Sequence, residues 1–81
     1  MQPPRYDYDP EANALYVYLG DKPYAHGRDL DAERRIDYAA DGTPIGVEIT
    51  CMRSGVNIEG LPSDQLIALI LDHLQIPVLA R

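Results

Sequence analysis

The sequence predicts an α+β domain: an antiparallel sheet of four or five strands built from hairpins, followed by one C-terminal amphipathic helix packed on one sheet face. Two observations predict the sheet. Apolar and polar residues alternate through much of residues 5–51, and turn residues interrupt the alternation at Asp9–Asn13 and at Asp41-Gly42. A third observation predicts the helix, because residues 63–75 lack Gly and Pro and repeat apolar residues at helical spacing.

The length of the chain sets the expected number of domains. At 81 residues the chain is far shorter than the length at which hydrophobic cores divide, so we expect a single domain over residues 1–81. We expect strands within residues 5–51, a crossing loop over 52–62, a helix over 63–75 and a C-terminal tail over 76–81.

The first hairpin is predicted at the turn Asp9-Pro10-Glu11-Ala12-Asn13. Proline presets φ, aspartate accepts hydrogen bonds from backbone N–H groups, and asparagine tolerates the left-handed region. The strand that follows directs apolar side chains to one face, where we expect the core to lie. These side chains are Leu15, Val17 and Leu19.

The second hairpin is predicted at Asp41-Gly42, a dipeptide that supplies positive φ in short hairpin loops. Gly46 inside the second strand of this hairpin predicts a bulge or a close backbone approach. Cys51 continues the alternation of that strand, so we expect it to be buried as a small hydrophobe. A more polar strand over residues 25–30 is expected at a sheet edge.

The helix is expected to begin after Ser63 as N-cap and to end because of Pro77. Its apolar side chains cover an arc of about 200°, which is wider than one sheet face requires. Either the loop after Cys51 covers the excess, or another chain does. We predict a homo-oligomer, with a dimer favoured, whose candidate interface is Leu66, Leu69, Ile70, His73, Leu74 and Val78.

All six aromatic residues are tyrosines. Tyr16 and Tyr18 point away from the apolar face of their strand, and we expect Tyr6 or Tyr8 to lie across from them in the neighbouring strand. Tyrosine suits interfaces because it is large, stiff and polar at its tip, although ordinary cross-strand pairing uses the same residues. The candidate partner face is Tyr16, Tyr18, Asp37 and Glu48.

Charge, hydropathy and cysteine content together argue against several classes of partner and location. Thirteen acidic and seven basic residues give a net charge of -6, and the lack of clustered Lys and Arg predicts no nucleic-acid binding. No apolar run approaches the ~20 residues of a membrane span, and Met1–Arg5 lack the apolar core of a signal peptide. With one cysteine and therefore no intrachain disulfide, we expect a cytoplasmic protein.

The acidic turn of the first hairpin is the main candidate for ligand binding. Asp9 and Glu11 place oxygen atoms at alternate positions, as a calcium loop does, but Ala14 and Gly20 stand where such a loop needs glycine and glutamate. The two histidines lack an evident catalytic partner, so we predict no catalytic residue, metal site or cofactor. The remaining candidate ligand site is Asp9, Glu11 and His26.

Two blocks of the sequence resemble a known family. Tyr8–Val17 is similar to the opening motif of domain of unknown function 2283, and Ile36–Ile49 is similar to its later hairpin, with Asp-Gly at the turn. The resemblance implies a compact, usually bacterial β-sheet module for which no activity, cofactor or catalytic residue is established.

Three functions are compatible with these features. The first is a non-enzymatic protein-interaction or self-associating module, which the wide apolar stripe and the lack of a catalytic constellation favour. The second is a small-ligand or divalent-metal binding protein with weak or no catalysis. The third is an acidic, antitoxin-like or nucleic-acid-mimicking partner of a basic protein.

Overall fold

The computed structural model describes residues 4–80, and five of its strands form one antiparallel sheet. These strands are β1 (Arg5–Asp9), β2 (Ala14–Tyr18), β3 (His26–Asp29), β4 (Arg34–Tyr38) and β5 (Pro44–Thr50). Their order in the sheet is β1-β2-β5-β4-β3, so β5 is central and the polar strand β3 lies at an edge. The predicted fold class is confirmed.

The turn of the first hairpin is held by the side chain of Asp9. Its Oδ1 atom accepts hydrogen bonds from the backbone N–H groups of Glu11 and Ala12, both at 3.1 Å. Asn13 then adopts a φ of 55°, in the left-handed region that asparagine tolerates. The predicted turn chemistry is confirmed.

The second hairpin turn uses the same chemistry. Asp41 Oδ1 accepts the N–H of Thr43 at 2.9 Å, and Gly42 has the predicted positive φ, 87°. Lys22 Nζ also donates to Asp41 Oδ2 at 2.6 Å, and this bond joins the loop between β2 and β3 to the turn between β4 and β5. This hydrogen bond holds the pKa of the Asp41 carboxyl well below its ordinary value.

One face of the sheet is covered and carries the core. Leu15 and Val17 of β2, Val47 and Ile49 of β5 and Ile36 of β4 are each at most 4% exposed. The helix α1 (Asp64–His73) adds its own buried side chains to the same hydrophobic cluster, so helix and sheet share one core. These helix residues are Ile67, Ala68, Ile70 and Leu71.

Both ends of α1 differ from the sequence prediction. Ser63 occupies the N-cap position, but it has a left-handed φ of 54° and its side chain caps no backbone N–H group. At the other end, Gln75 has a φ of 60° and the N–H of Ile76 donates to the Leu71 carbonyl at 2.8 Å. This left-handed motif, rather than Pro77, ends the helix.

The crossing loop and the tail, which we expected to lack regular structure, contain two short strands. β6 (Val56–Asn57) and β7 (Val78–Ala80) pair in parallel, and this pairing corrects the prediction for residues 76–81, of which Arg81 lies outside the described residues. The loop also buries Val56 and Ile58 in the core. Within residues 4–80, no helix has the length and apolar character needed to cross a membrane.

Cys51 is exposed, which contradicts the prediction that it packs in the core. The strand β5 ends one residue earlier, at Thr50, and Cys51 adopts a φ of 57°. This backbone turn takes the side chain out of the alternation of the strand. The next residue, Met52, is buried instead.

Arg34 anchors the crossing loop to the sheet. Its side chain is only 12% exposed, and Nη1 donates to the carbonyl oxygens of Asn57 at 2.8 Å and Glu59 at 2.7 Å. The same guanidinium pairs with Asp31 at 2.7 Å and thereby lowers the pKa of that carboxyl. One cation therefore satisfies two loop carbonyls at the edge of the core.

Replacing Arg34 by Ala is expected to lower the free energy of unfolding by about 2–4 kcal/mol, because the two loop carbonyls and the carboxylate lose a charged donor. Urea unfolding measures this loss. The control is Arg53→Ala at an exposed position, where we expect a change below about 0.5 kcal/mol. Equal stability of the two variants would contradict the anchoring role.

Candidate functional site

The uncovered side of the sheet, here called the outer face, carries the predicted partner surface. The strand register places Tyr16 beside Glu48, and it places Tyr18 beside Gly46, which itself lies beside Asp37. Alternation then puts all four predicted residues on the side opposite the core. The outer face is defined by Arg5, Asp7, Tyr16, Tyr18, Asp29, Arg35, Asp37 and Glu48.

The expectation that Tyr6 or Tyr8 lies across from the outer-face tyrosines is wrong. Tyr6 pairs with Val17 and Tyr8 pairs with Leu15, so both tyrosines belong to the core side of β1. Asp9 at the end of β1 pairs with Ala14 at the start of β2, and this pairing across the first turn fixes the register of the two strands. Arg5 and Asp7 occupy the positions across from Tyr18 and Tyr16 instead.

Tyr16 crosses the central strand to reach its hydrogen-bond partner. Its hydroxyl donates to Asp37 Oδ2 at 2.8 Å, and the path lies directly over Gly46, where a Cβ atom would overlap the hydroxyl. The close approach at Gly46 is therefore made by a side chain and not by backbone, and the predicted bulge corresponds to the shift in register of β4 and β5 between Asp37 and Tyr38. Burial, and then the bond to Asp37, raise the pKa of Tyr16 above its ordinary value.

Tyr18 forms a second pair at the β1 side of the outer face. Its hydroxyl donates to Asp7 Oδ2 at 2.5 Å, and this bond raises the pKa of Tyr18. The guanidinium of Arg5 lies 4.8 Å from the centre of the Tyr18 ring, and Tyr16 packs edge-on against the same ring at 4.9 Å. Because the pKa of each tyrosine is raised, both phenols stay protonated and act as hydrogen-bond donors at neutral pH.

Arg35 in β4 forms the ion pairs at the β3 side of the outer face. Its guanidinium contacts Asp29 at 3.1 Å and Asp37 at 3.3 Å, and it donates to the Tyr24 hydroxyl at 3.4 Å. It lies directly over Gly27, where a Cβ atom would overlap it. In the strand register Gly27 lies opposite Asp37, so the Arg35 side chain reaches over it diagonally.

Glu48 differs from the other residues of the outer face. It is exposed, and it makes no side-chain hydrogen bond or ion pair to any residue in the described part of the chain. Apart from Arg5, which bonds to Asp21 outside the face, the other polar groups are bonded to one another and form an ordered surface whose donors and acceptors are largely occupied.

The predicted oligomer interface divides into buried and exposed members. Leu69 is 69% exposed and His73 is exposed, whereas Ile70 packs in the core. The half-buried members Leu66, Leu74 and Val78 pack against the core cluster.

A cavity lies between the helix and the edge strand β1. Its volume is about 380 Å³, large enough for several side-chain atoms. It joins three predicted interface residues to the start of β1, which sequence reasoning did not connect with them. The lining residues are Pro4, Tyr6, Leu69, Ile70 and His73.

The structure does not bring together the candidate ligand residues Asp9, Glu11 and His26. Asp9 is the last residue of β1 and Glu11 lies in the turn that follows, whereas His26 lies in β3 at the opposite edge of the sheet. Four strand spacings separate these edges, about 19 Å. His26 instead stacks on Tyr38, with ring centres 5.2 Å apart, and residues 4–80 contain no group of three metal-binding side chains.

A comparison with protein families decides the family of this chain. The model of the family described as protein of unknown function (DUF2283) matches residues 5–51, more than half of the chain. The chain belongs to this family. No curated protein and no solved structure matches it.

The family match of the DUF2283 chain covers the five-stranded sheet and ends before the helix. It includes all members of the outer face. The cavity beside β1 instead combines residues inside the match, such as Tyr6, with helix residues outside it, such as Leu69.

Replacing Gly46 by Ala is expected to lower the free energy of unfolding by about 1–3 kcal/mol, because the new methyl group displaces Tyr16 from Asp37. Chemical denaturation measures the loss. Gly20→Ala is the matched control, since that glycine has open space around it and is expected to change stability by less than about 0.5 kcal/mol.

A double-mutant cycle with Tyr16→Val separates the clash between the new methyl group and Tyr16 from any effect of the Gly46→Ala change on the strand backbone itself. Gly46→Ala should cost at least about 1 kcal/mol less when the tyrosine is absent. An equal cost in both backgrounds would show that the close approach does not determine the stability of the site.

Proposed function

We propose that this DUF2283 chain is a non-enzymatic interaction module that associates with a second copy of itself along the border between α1 and β1. The observation that supports this proposal is the position of Leu69, 69% exposed beside the cavity lined by Tyr6 and His73. An exposed leucine next to an apolar cavity is a favourable contact for another apolar surface.

The loop after Cys51 leaves this border uncovered. Its apolar residues Met52, Val56, Ile58 and Leu61 are buried in the core, yet Leu69 remains exposed. The alternative that the loop covers the excess helix surface therefore loses its support.

A second copy is the occupant that the charges favour. The strand beside the cavity carries both signs, with Arg5 followed by Asp7 and Asp9. An interface between two identical chains related by a twofold axis must be complementary to itself. A strand that contains both a cation and anions meets this requirement when two copies run antiparallel.

The outer face is a less favourable place for self-association. Its hydroxyls and its guanidinium groups already bond to carboxylates within the chain, so a partner would gain few new hydrogen bonds there. Binding of another protein at Tyr16, Tyr18, Asp37 and Glu48 stays a prediction. The cytoplasmic location, the bacterial origin and the ligand-binding and antitoxin-like alternatives also stay predictions.

Replacing Leu69 by Glu is expected to weaken the dimer about tenfold or more, equivalent to ~1.4 kcal/mol, because a charge enters the apolar contact. Sedimentation velocity over a concentration series to about 100 µM measures the dissociation constant. Leu79→Glu is the matched control, since Leu79 is 62% exposed and does not line the cavity.

The Leu79→Glu variant should dimerise like the unmodified chain. Two results would count against the proposal: an unmodified chain that remains monomeric at the highest concentration, or a Leu69→Glu variant with an unchanged dissociation constant.

A further inference from the structure

The edge strand β1 has the features of a strand that accepts another strand. It pairs with β2 through five consecutive residue pairs without a register shift, and in the described part of the chain no strand lies on its other side. Alternate residues of an edge strand direct N–H and C=O groups away from the sheet, and these groups can pair with a second chain. No proline or bulge interrupts this edge between Arg5 and Asp9.

A twofold axis perpendicular to the sheet would join two β1 strands antiparallel in one ten-stranded sheet. Such an axis keeps the outer face of one chain continuous with the outer face of the other. It also places both helices on the same side of the joined sheet. Each odd-numbered residue of β1 then faces an odd-numbered residue of the partner, and each even-numbered residue faces an even-numbered one. Few registers are therefore available.

The charges of β1 distinguish these registers. Centring on Tyr6 places Arg5 opposite the partner's Asp7 at both ends and Tyr6 opposite the partner's Tyr6. Placing the axis at Asp7 pairs Arg5 with the partner's Asp9 at both ends but also sets the two Asp7 carboxylates against each other. Placing it at Tyr8 sets Asp7 against the partner's Asp9, so only the Tyr6 register has opposite charges without a like-charged pair. Opposite charges on directly opposed residues stabilise a strand pair and like charges destabilise it, which favours the Tyr6 register.

The cavity beside α1 favours the same register. Pro4 and Tyr6 form its β1 side, and Leu69, Ile70 and His73 form its helix side. With Tyr6 at the axis, the cavities of the two chains lie next to each other. The second chain then covers the exposed Leu69 that supports self-association.

We propose that a second copy of this chain adds to the sheet through antiparallel β1–β1 pairing centred on Tyr6, with Arg5 of each chain facing Asp7 of the partner subunit. This inference rests on the proposed self-association and adds its geometry. The existing ion pair of Arg5, to Asp21 at 3.5 Å, joins two highly exposed side chains and presents little competition.

The test is a charge exchange between two variants, followed by sedimentation velocity. Arg5→Asp alone opposes two aspartates at each end, and Asp7→Arg alone opposes two arginines, so each variant should dimerise about tenfold more weakly than the unmodified chain. An equimolar mixture of the two restores opposite charges at both ends. The mixture should recover a dissociation constant within about threefold of the unmodified value.

Asp21→Arg is the matched control for charge. It makes the same change as Asp7→Arg at an exposed loop position that pairs with Arg5 within the chain but lies outside β1. Its dimer should form with an unchanged dissociation constant. A loss equal to that of Asp7→Arg would show that the weakening does not depend on the β1 register.

Amide hydrogen exchange of the unmodified chain gives a second readout that does not depend on the folding of Asp7→Arg. Protection of alternate β1 amides should rise with protein concentration, while β3, the other edge, should keep its exchange rates. Protection that is independent of concentration in both edge strands would overturn the β1 pairing.

The outcomes separate the two proposals. A strictly monomeric unmodified chain overturns the proposed self-association, and this geometry with it. A dimer that Leu69→Glu weakens but Arg5→Asp does not leaves self-association in place and overturns β1 pairing. A mixture that fails to recover, when both single variants are folded and weakened, overturns the Tyr6 register.

Discussion

The alternation of side chains along the central strand β5 separates a covered side of the molecule from an uncovered one. Val47 and Ile49 enter the core, whereas Gly46 and Glu48 lie on the outer face. Since β5 pairs with both β2 and β4, a slip of one residue would exchange the two faces and expose the core. The helix and the crossing loop therefore depend on this register for the apolar surface they cover.

The two candidate surfaces differ in the physical basis of binding. On the outer face, the missing side chain at Gly46 lets Tyr16 reach across the central strand to Asp37, so the polar groups there are fixed by bonds within the chain. The border between α1 and β1 has few such bonds and contains the exposed Leu69. Ordered polar surfaces confer specificity, while removal of apolar surface from water supplies most of the affinity.

Local chemistry explains how much of the fold was predictable. The turns at Asp9–Asn13 and at Asp41-Gly42, together with the strand alternation, predict the two hairpins. The width of the apolar helix stripe anticipates the exposure of Leu69. Two features were not predictable in this way. The side of the sheet on which Tyr6 lies depends on how β1 and β2 pair across their turn. The exposure of Cys51 depends on the left-handed backbone conformation of Cys51 itself. Arg34 gave no recognisable signal, because its acceptors are backbone carbonyls of a distant loop.

A short chain of net charge -6 has two reasons to associate through a specific edge rather than through general hydrophobic contact. A domain of this length buries only about 60–65% of its unfolded surface, so burial against a second chain would add stability. The acidic chains also repel each other in most orientations. The proposed arrangement places Arg5 opposite a carboxylate at each end of the shared edge, so repulsion is lowest in the orientation that covers Leu69. The apolar contact would then set the strength of association, and the charges would set its register.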